Sequence, residues 1–159
     1  MEKKYIGDII HENFYDPLVI IGFPYDQGAI NVQKSKGSYL GPDAFRRFLS
    51  YQDFGVLKNV EEGIDIEKYL PKISDYGNIQ TTEITNGQPT PISDNNMSAL
   101  YSKLSLKLGK CLERNNICFI MGGSKDMLLP ICEKYNEIGG QMLVITNEFM
   151  GESQNIAYK

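Results

Sequence analysis

Three short runs of large apolar residues punctuate this chain: LVII at Leu18–Ile21, ICFIM at Ile117–Met121 and QMLVIT at Gln141–Thr146. None shows the strict alternation of a half-exposed strand. A continuous apolar run of this length is what a strand carries when helices cover both of its faces, as in a parallel sheet. Parallel neighbours need crossovers of a dozen residues or more, usually helical. The chain supplies them. Met97, Leu100, Tyr101, Leu104, Leu108, Cys111 and Leu112 recur at helical spacing before the second run. Met127, Leu128, Ile131, Cys132 and Tyr135 do so between the second and third. Strand, helix, strand, helix, strand predicts an α/β fold: a three-layer, open, mostly parallel sheet with flanking helices.

The punctuation agrees. Gly22 and Pro24 end the first strand, and the polar, glycine-rich stretch QGAINVQKSKGSYLGP reads as a loop. Gly41-Pro42 opens a helix whose apolar face is Ala44, Phe45, Phe48 and Leu49, with Arg46 and Arg47 pointing elsewhere as a surface pair. Between Gln52 and Pro91 the pattern weakens, and ISDYGNIQ and TTEIT read as short extended pieces around a turn, an edge strand with loops on both sides. Ser93 caps the second helix, with Asp94 in its first turn, and Asn115-Asn116 ends it. Gly122-Gly123 makes a turn, Ser124 caps the third helix, and Gly139-Gly140 closes that helix. Residues 1–159 read as one shortened domain, with 1–17 as an N-terminal extension and 151–159 as a polar tail.

Composition excludes several classes of function. With 159 residues, 42% apolar and 23% charged, the chain is an ordinary globular domain. A net charge of −4 offers no basic field to nucleic acid. No apolar run approaches the ~20 residues of a membrane span, and the start does not read as a signal peptide. Cys111, Cys118 and Cys132 show no C-x-x-C spacing and read as buried thiols of a reducing compartment. The expected location is intracellular, in the cytoplasm. His11 is the sole histidine, which leaves a histidine-based triad one candidate, and it reads as an exposed surface residue.

The stretch IIGFPYDQGAINVQKSKGSYLGPDAFRRFL resembles the N-terminal signature of the ureohydrolases, the arginase, agmatinase and formiminoglutamase family, with formiminoglutamases the nearest branch. The matching residues are Gly22, Pro24, Asp26, Gly28, Gly37, Ser38, Gly41, Pro42 and Arg46. DYGNI at Asp75–Ile79 resembles the family's D-x-G-D segment. FIMGGSKDM stands where the family has a strand and G-G-x-H, and MLVITNEFM where it has a strand and D-A-H-x-D. The resemblance covers about Leu18 to Met150 and the first half of a typical member. It implies an arginase-like but shortened sheet.

It also implies a two-manganese centre that activates water to attack a guanidinium-type carbon, built from imidazoles and carboxylates. Here the ligand positions hold Lys125, Thr146, Glu148 and Met150. A charged ammonium has no lone pair to give and repels a cation, so the resemblance implies no metal and no cofactor. A carboxylate-only Mg²⁺ or Ca²⁺ site from Asp26, Asp75, Asp126 and Glu148 is the chemical alternative. The simpler reading has Asp26 ordering its loop, Asp126 serving a helix N-terminus and Glu148 solvated. Gly122, Gly123, Ser124 and Lys125 form a possible anion-binding turn, but a tight turn with a solvated lysine is the preferred reading of them.

These residues point to a catalytically degenerate ureohydrolase-like protein acting as a structural or interaction subunit, with a protein partner or a second copy covering an apolar edge at QMLVIT. Two alternatives stand beside it. One is a part of a manganese-dependent C–N hydrolase completed by a missing half. The other is a small anion-binding module.

Overall fold

The computed structural model of the chain describes residues 5–31, 33, 37–53, 58–59, 64–65, 72–85, 88–91, 97–122 and 125–140. In chain order these form β1 (Ile10–His11), β2 (Leu18–Phe23), α1 (Gln27–Asn31), α2 (Gly41–Tyr51), β3 (Lys58–Asn59), β4 (Ile64–Asp65), β5 (Ile73–Asn78), β6 (Thr82–Thr85), β7 (Gln88–Pro91), α3 (Met97–Leu112), β8 (Ile117–Gly122) and α4 (Leu128–Glu137). Among the described residues, four strands make a parallel sheet in the order β1-β5-β2-β8. Two small antiparallel pairs, β3 with β4 and β6 with β7, stand apart from it.

β2 is central, and its residues explain why. Val19, Ile21 and Phe23 are fully buried and point to one face, where they meet Leu100, Leu104, Leu108 and Cys111 of α3 and Ile131 of α4. Ile20 and Gly22 point to the other face, where Gly22 lies against Pro42 and Arg46 of α2. One strand with apolar side chains in both directions needs helices on both sides, which gives the three layers. The α3 stripe keeps the spacing expected from its sequence. Asn115 adopts a left-handed conformation, φ 59°, and its N–H bonds Leu112 O as the chain leaves α3.

Several expectations change. ISDYGN is not an edge strand: β5 lies inside the sheet, paired with β1 on one side and β2 on the other. Its side chains were hard to read as strand because Ser74, Asp75 and Asn78 are polar residues held by specific partners. The N-terminal extension is part of the domain, since Ile10 and His11 pair with Ile73 and Ser74. The long loop after β2 holds α1 and a one-turn helix, Ser38–Leu40. The ICFIM strand is not buried on both faces: Ile117 is 69% and Phe119 46% exposed. On α2 the inward stripe is Pro42, Phe45, Arg46 and Leu49, while Ala44 and Phe48 face outward. The strand QMLVIT, the Ser93 cap with Asp94, and the tail 151–159 lie outside the described residues.

A polar lock ties the starts of the strands together. Ser74 of β5 is fully buried. Its Oγ bonds Asn13 Oδ1 and lies 2.7 Å from Asp16 Oδ2, and it accepts the Asp16 N–H at 3.1 Å. Asn116, at the start of β8, donates to Phe14 O at 3.2 Å and Asp16 O at 2.5 Å. His11 Nδ1 lies 2.9 Å from Asp16 Oδ2. The Ser74 hydroxyl, and then His11, hold the Asp16 carboxyl below its ordinary value.

Two outcomes follow. Leu104→Ala removes a fully buried side chain from the α3 stripe and lowers unfolding free energy by about 3 kcal/mol in denaturant titration. Asp16 has a depressed folded pKa, so the unfolded chain binds more protons on the acid side. The stability it supplies is complete above the unfolded value and is lost as pH falls through the folded one. Thermal melts of Asp16→Asn therefore show a flatter decline than the parent below about pH 4.

Candidate functional site

The most ordered cluster of charge lies between α2 and β5. Arg46 Nε donates to Asp75 Oδ2 at 2.5 Å and Nη2 to Asp75 Oδ1 at 2.8 Å. Its Nη1 donates to Asn78 Oδ1 at 2.5 Å and lies 3.4 Å from Asp43 Oδ1. Asn78 Nδ2 donates to Asp43 Oδ1 at 3.0 Å. The bonds to Asp75 come first in raising the Arg46 guanidinium above its ordinary value. A two-pronged arginine–carboxylate pair is the geometry a planar guanidinium favours. Arg46 is thus no surface partner of Arg47, and its side chain is only 21% exposed.

This cluster depends on two backbone features. Residues 75 and 78 of a regular strand would point to opposite faces. Here Ile20 pairs with Asp75 but Gly22 pairs with Asn78, so β5 carries one extra residue. Gly77 takes φ 70° within that bulge, and both polar side chains turn to α2. Gly22 supplies the room. A Cβ there would fall 2.0 Å from Asn78 Oδ1, 2.9 Å from Pro42 Cβ and 3.1 Å from Arg46 Nη1. From the opposite face, Lys107 of α3 donates to Tyr76 O at 2.5 Å and Asn78 O at 3.1 Å, and sits 4.4 Å from the Tyr76 ring centre. Burial pulls the Lys107 ammonium below its ordinary value.

The remaining motif residues gather where β2 and β8 end. Asp26 Oδ2 accepts the Gly37 N–H at 2.8 Å, which folds the loop back before α2. Asp26 therefore orders its loop, as the simpler reading has it. Pro24 and Gly28 lie in the same connection. Gly41, at the start of α2, comes close to Gly122 O at the end of β8. Lys125 begins a one-turn helix, Lys125–Met127, three positions past the end of β8, and it is exposed. That turn packs near α1. Thus the first-strand motif and the Lys125 turn occupy one edge of the sheet, where α/β folds place ligands. Gly123, Ser124, Thr146, Glu148 and Met150 lie outside the described residues, as does the side chain of Asp126.

Other candidates resolve separately. His11 stands at the opposite edge, half exposed and bonded to Asp16. Cys118 faces Cys111, and the hydrogen bond between them, with burial, pushes the Cys118 thiol up. A thiol held protonated is a poor nucleophile. Among the described residues, no group of three or more His, Cys, Asp or Glu side chains converges on a point that could hold a metal. An open cavity of about 670 Å³ lies beside β5, next to the Arg46 cluster. No helix among the described residues is long and apolar enough to cross a membrane.

The sequence matches the arginase family over residues 16–147. The chain belongs to the arginase family. Solved structures agree. An arginase superfamily protein from Trypanosoma cruzi is 25% identical with a TM-score of 0.66, over 86% of this chain and 41% of that one. The formiminoglutamase of the same organism, solved with Mn²⁺, is 25% identical with a TM-score of 0.65, over 86% and 41%. A likeness to an agmatinase from Clostridium difficile, itself described as putative, is at the level of fold: 18% identity and a TM-score of 0.53, over 80% of this chain and 40% of that one. The chain thus spans about two fifths of the length of the solved structures it matches. A comparison with curated proteins finds no match.

Within this arginase-family frame the Arg46 cluster is a brace. Both Asp75 oxygens accept from Arg46, and Oδ1 also accepts the Gly77 N–H at 2.8 Å. Such a carboxylate has little left to offer a metal. Sequence pattern located Arg46 and Asp75 separately but not their pairing, and it missed Asp43, Asn78 and Lys107. The positions 42, 45, 46 and 49 are one helical stripe, which was the available signal for an inward arginine. Arg46→Ala strands Asp75 and lowers unfolding free energy by about 3 kcal/mol. Arg46→Lys recovers only part of this, because one ammonium cannot bridge both oxygens and Asn78. Gly22→Ala lowers it by about 2 kcal/mol by overfilling the same space. Urea denaturation of the three variants checks the order.

Proposed function

We propose that this arginase-family chain is a catalytically degenerate member that serves as a structural or interaction subunit. The observation that carries the reading is Lys125. By sequence register it stands where the family resemblance calls for the histidine of G-G-x-H. An ammonium there cannot join a manganese pair, and its charge opposes one. By sequence register the next ligand positions are Thr146, Glu148 and Met150. Methionine is a soft donor unsuited to a hard cation, and threonine offers a neutral hydroxyl. With Lys125 at the first ligand position and Thr146 and Met150 at two of the others, the donor set does not fit the group.

Exposed apolar side chains support an interaction role. Phe48 and Tyr51 of α2 and Ile117 and Phe119 of β8 are 59%, 75%, 69% and 46% exposed. Phe45 of α2 and Phe119 of β8 are tilted ring neighbours, centres 5.5 Å apart. Surfaces of this kind mark protein contacts.

A second reading has its own support. The likeness to a manganese-containing formiminoglutamase, over two fifths of that chain, fits a part of a C–N hydrolase completed by another segment. The anion-binding reading of Gly122 to Lys125 gains nothing further, since two of its four residues lie outside the described ones.

Native mass spectrometry of the protein purified from its own source tests the proposal. The expected result is a homo-oligomer or a stoichiometric complex without hydrolase activity toward guanidino or formimino compounds. A monomer, or an assembly that hydrolyses such compounds with manganese, overturns it.

A further inference from the structure

Two of the cysteines meet inside the fold, although nothing in their spacing announces it. Cys111 stands on the last inward turn of α3 and is fully buried. Cys118 is the second residue of β8, paired with Val19 across the sheet, and it packs against the same apolar core. The connection between them is short and tied down at both sides. The Asn116 N–H bonds Cys111 O at 3.2 Å, and the Asn116 side-chain amide donates to Phe14 O and Asp16 O. The chain therefore re-enters the sheet beside the end of α3, and the Cys118 thiol donates a hydrogen bond to the Cys111 sulfur.

The surroundings make the pair more than two inert thiols. That hydrogen bond first, with Lys107 and Arg114 adding to it against burial, holds the Cys111 thiol below its ordinary value. Tyr135 of α4 is near enough to feel both sulfurs, and burial, then their charge, raises its hydroxyl. The two thiols thus lose protons as a unit, the first readily and the second with difficulty. Cys118 taken alone is a poor nucleophile. In the singly charged pair its proton can cross the hydrogen bond to Cys111 and leave a thiolate at Cys118. That sulfur is the one within reach. Cys118 is half-buried, Cys111 is closed off, and among the described residues no strand covers the outer side of β8.

We propose that Cys111 and Cys118 are a redox couple, a dithiol that a small disulfide such as glutathione disulfide closes into a bond between α3 and β8. The Cys118 thiolate attacks one sulfur of the reagent, and the other leaves as a thiolate. Cys111 then attacks Cys118 Sγ, the bond from Cys118 to glutathione breaks, and the departing thiolate takes the Cys111 proton. The two cysteines lose two electrons and two protons, and the reagent is reduced to two thiols. The new bond fixes the end of α3 to the sheet. It forms one turn from Lys107, whose ammonium holds Tyr76 O and Asn78 O, so the state of the pair bears on the part of α3 that grips β5.

The test places the reduced, folded chain in glutathione buffers of rising disulfide content. Free thiols are then trapped with N-ethylmaleimide in denaturant and counted by mass spectrometry. The expected result is a fall from three labels to one, with the lost pair mapped as Cys111–Cys118 and restored by dithiothreitol. Amide exchange across residues 109–118 slows in the oxidised chain. In Cys111→Ala the reaction stops at a glutathione adduct on Cys118, because no second thiol resolves it. Retention of all three labels in fully oxidised glutathione overturns the couple. So does a bond through Cys132, a bond between two chains, or a lasting glutathione adduct on the unaltered chain. The bond mapped in the unaltered chain decides the matter even where Cys111→Ala fails to fold.

Discussion

The Arg46–Asp75 pair is the constraint around which the rest of this structure is arranged. It joins α2 to β5 through two nearly parallel bonds, and a third bond reaches Asn78. To make it, β5 must bulge at Gly77 so that Asp75 and Asn78 share a face. The central strand β2 must lack a side chain at Gly22. The helix α2 must start where Gly41 and Pro42 start it, so that position 46 lies over the sheet. A buried ion pair adds little net stability by itself, but removing one partner is costly. Its role here is to specify how α2 sits on the sheet.

That dependence gives the family's first motif a physical meaning. Gly22, Pro42 and Arg46 are parts of one packing contact. Asp26 and Gly37 are parts of a second, which folds the long connection back. None of these needs a metal. A chain can therefore keep the frame while the positions at the strand ends change, because brace and chemistry are carried by different residues. Lys125, three positions past the end of β8, is the change we propose.

Sequence pattern disclosed some of this and concealed the rest for identifiable reasons. The apolar run of β2 and the stripe Leu100, Leu104, Leu108 and Cys111 announced the sheet and its covering helix, because burial was their main duty. β5 stayed hidden because its identity lies in polar side chains whose partners are distant in the chain. Ser74 reaches Asp16 and Asp75 reaches Arg46, and a local window sees neither. β1 stayed hidden because two residues carry no periodicity. The inward arginine is hidden because charge ordinarily marks a solvent face, while its spacing from Pro42, Phe45 and Leu49 places it on the inward stripe. The cavity beside β5 has no linear signal at all, since its walls come from segments some sixty residues apart.

The central claim is that this arginase-family frame persists without the family's manganese pair. Titrating the purified chain with Mn²⁺ and following the free-ion signal by electron paramagnetic resonance tests it most directly. The account predicts that the free-ion signal rises from the first addition, with no stoichiometric uptake, and that it does so equally in Lys125→Ala. Tight, stoichiometric uptake by the unaltered chain would contradict it, and would show that side chains other than those of the family motif hold the metal.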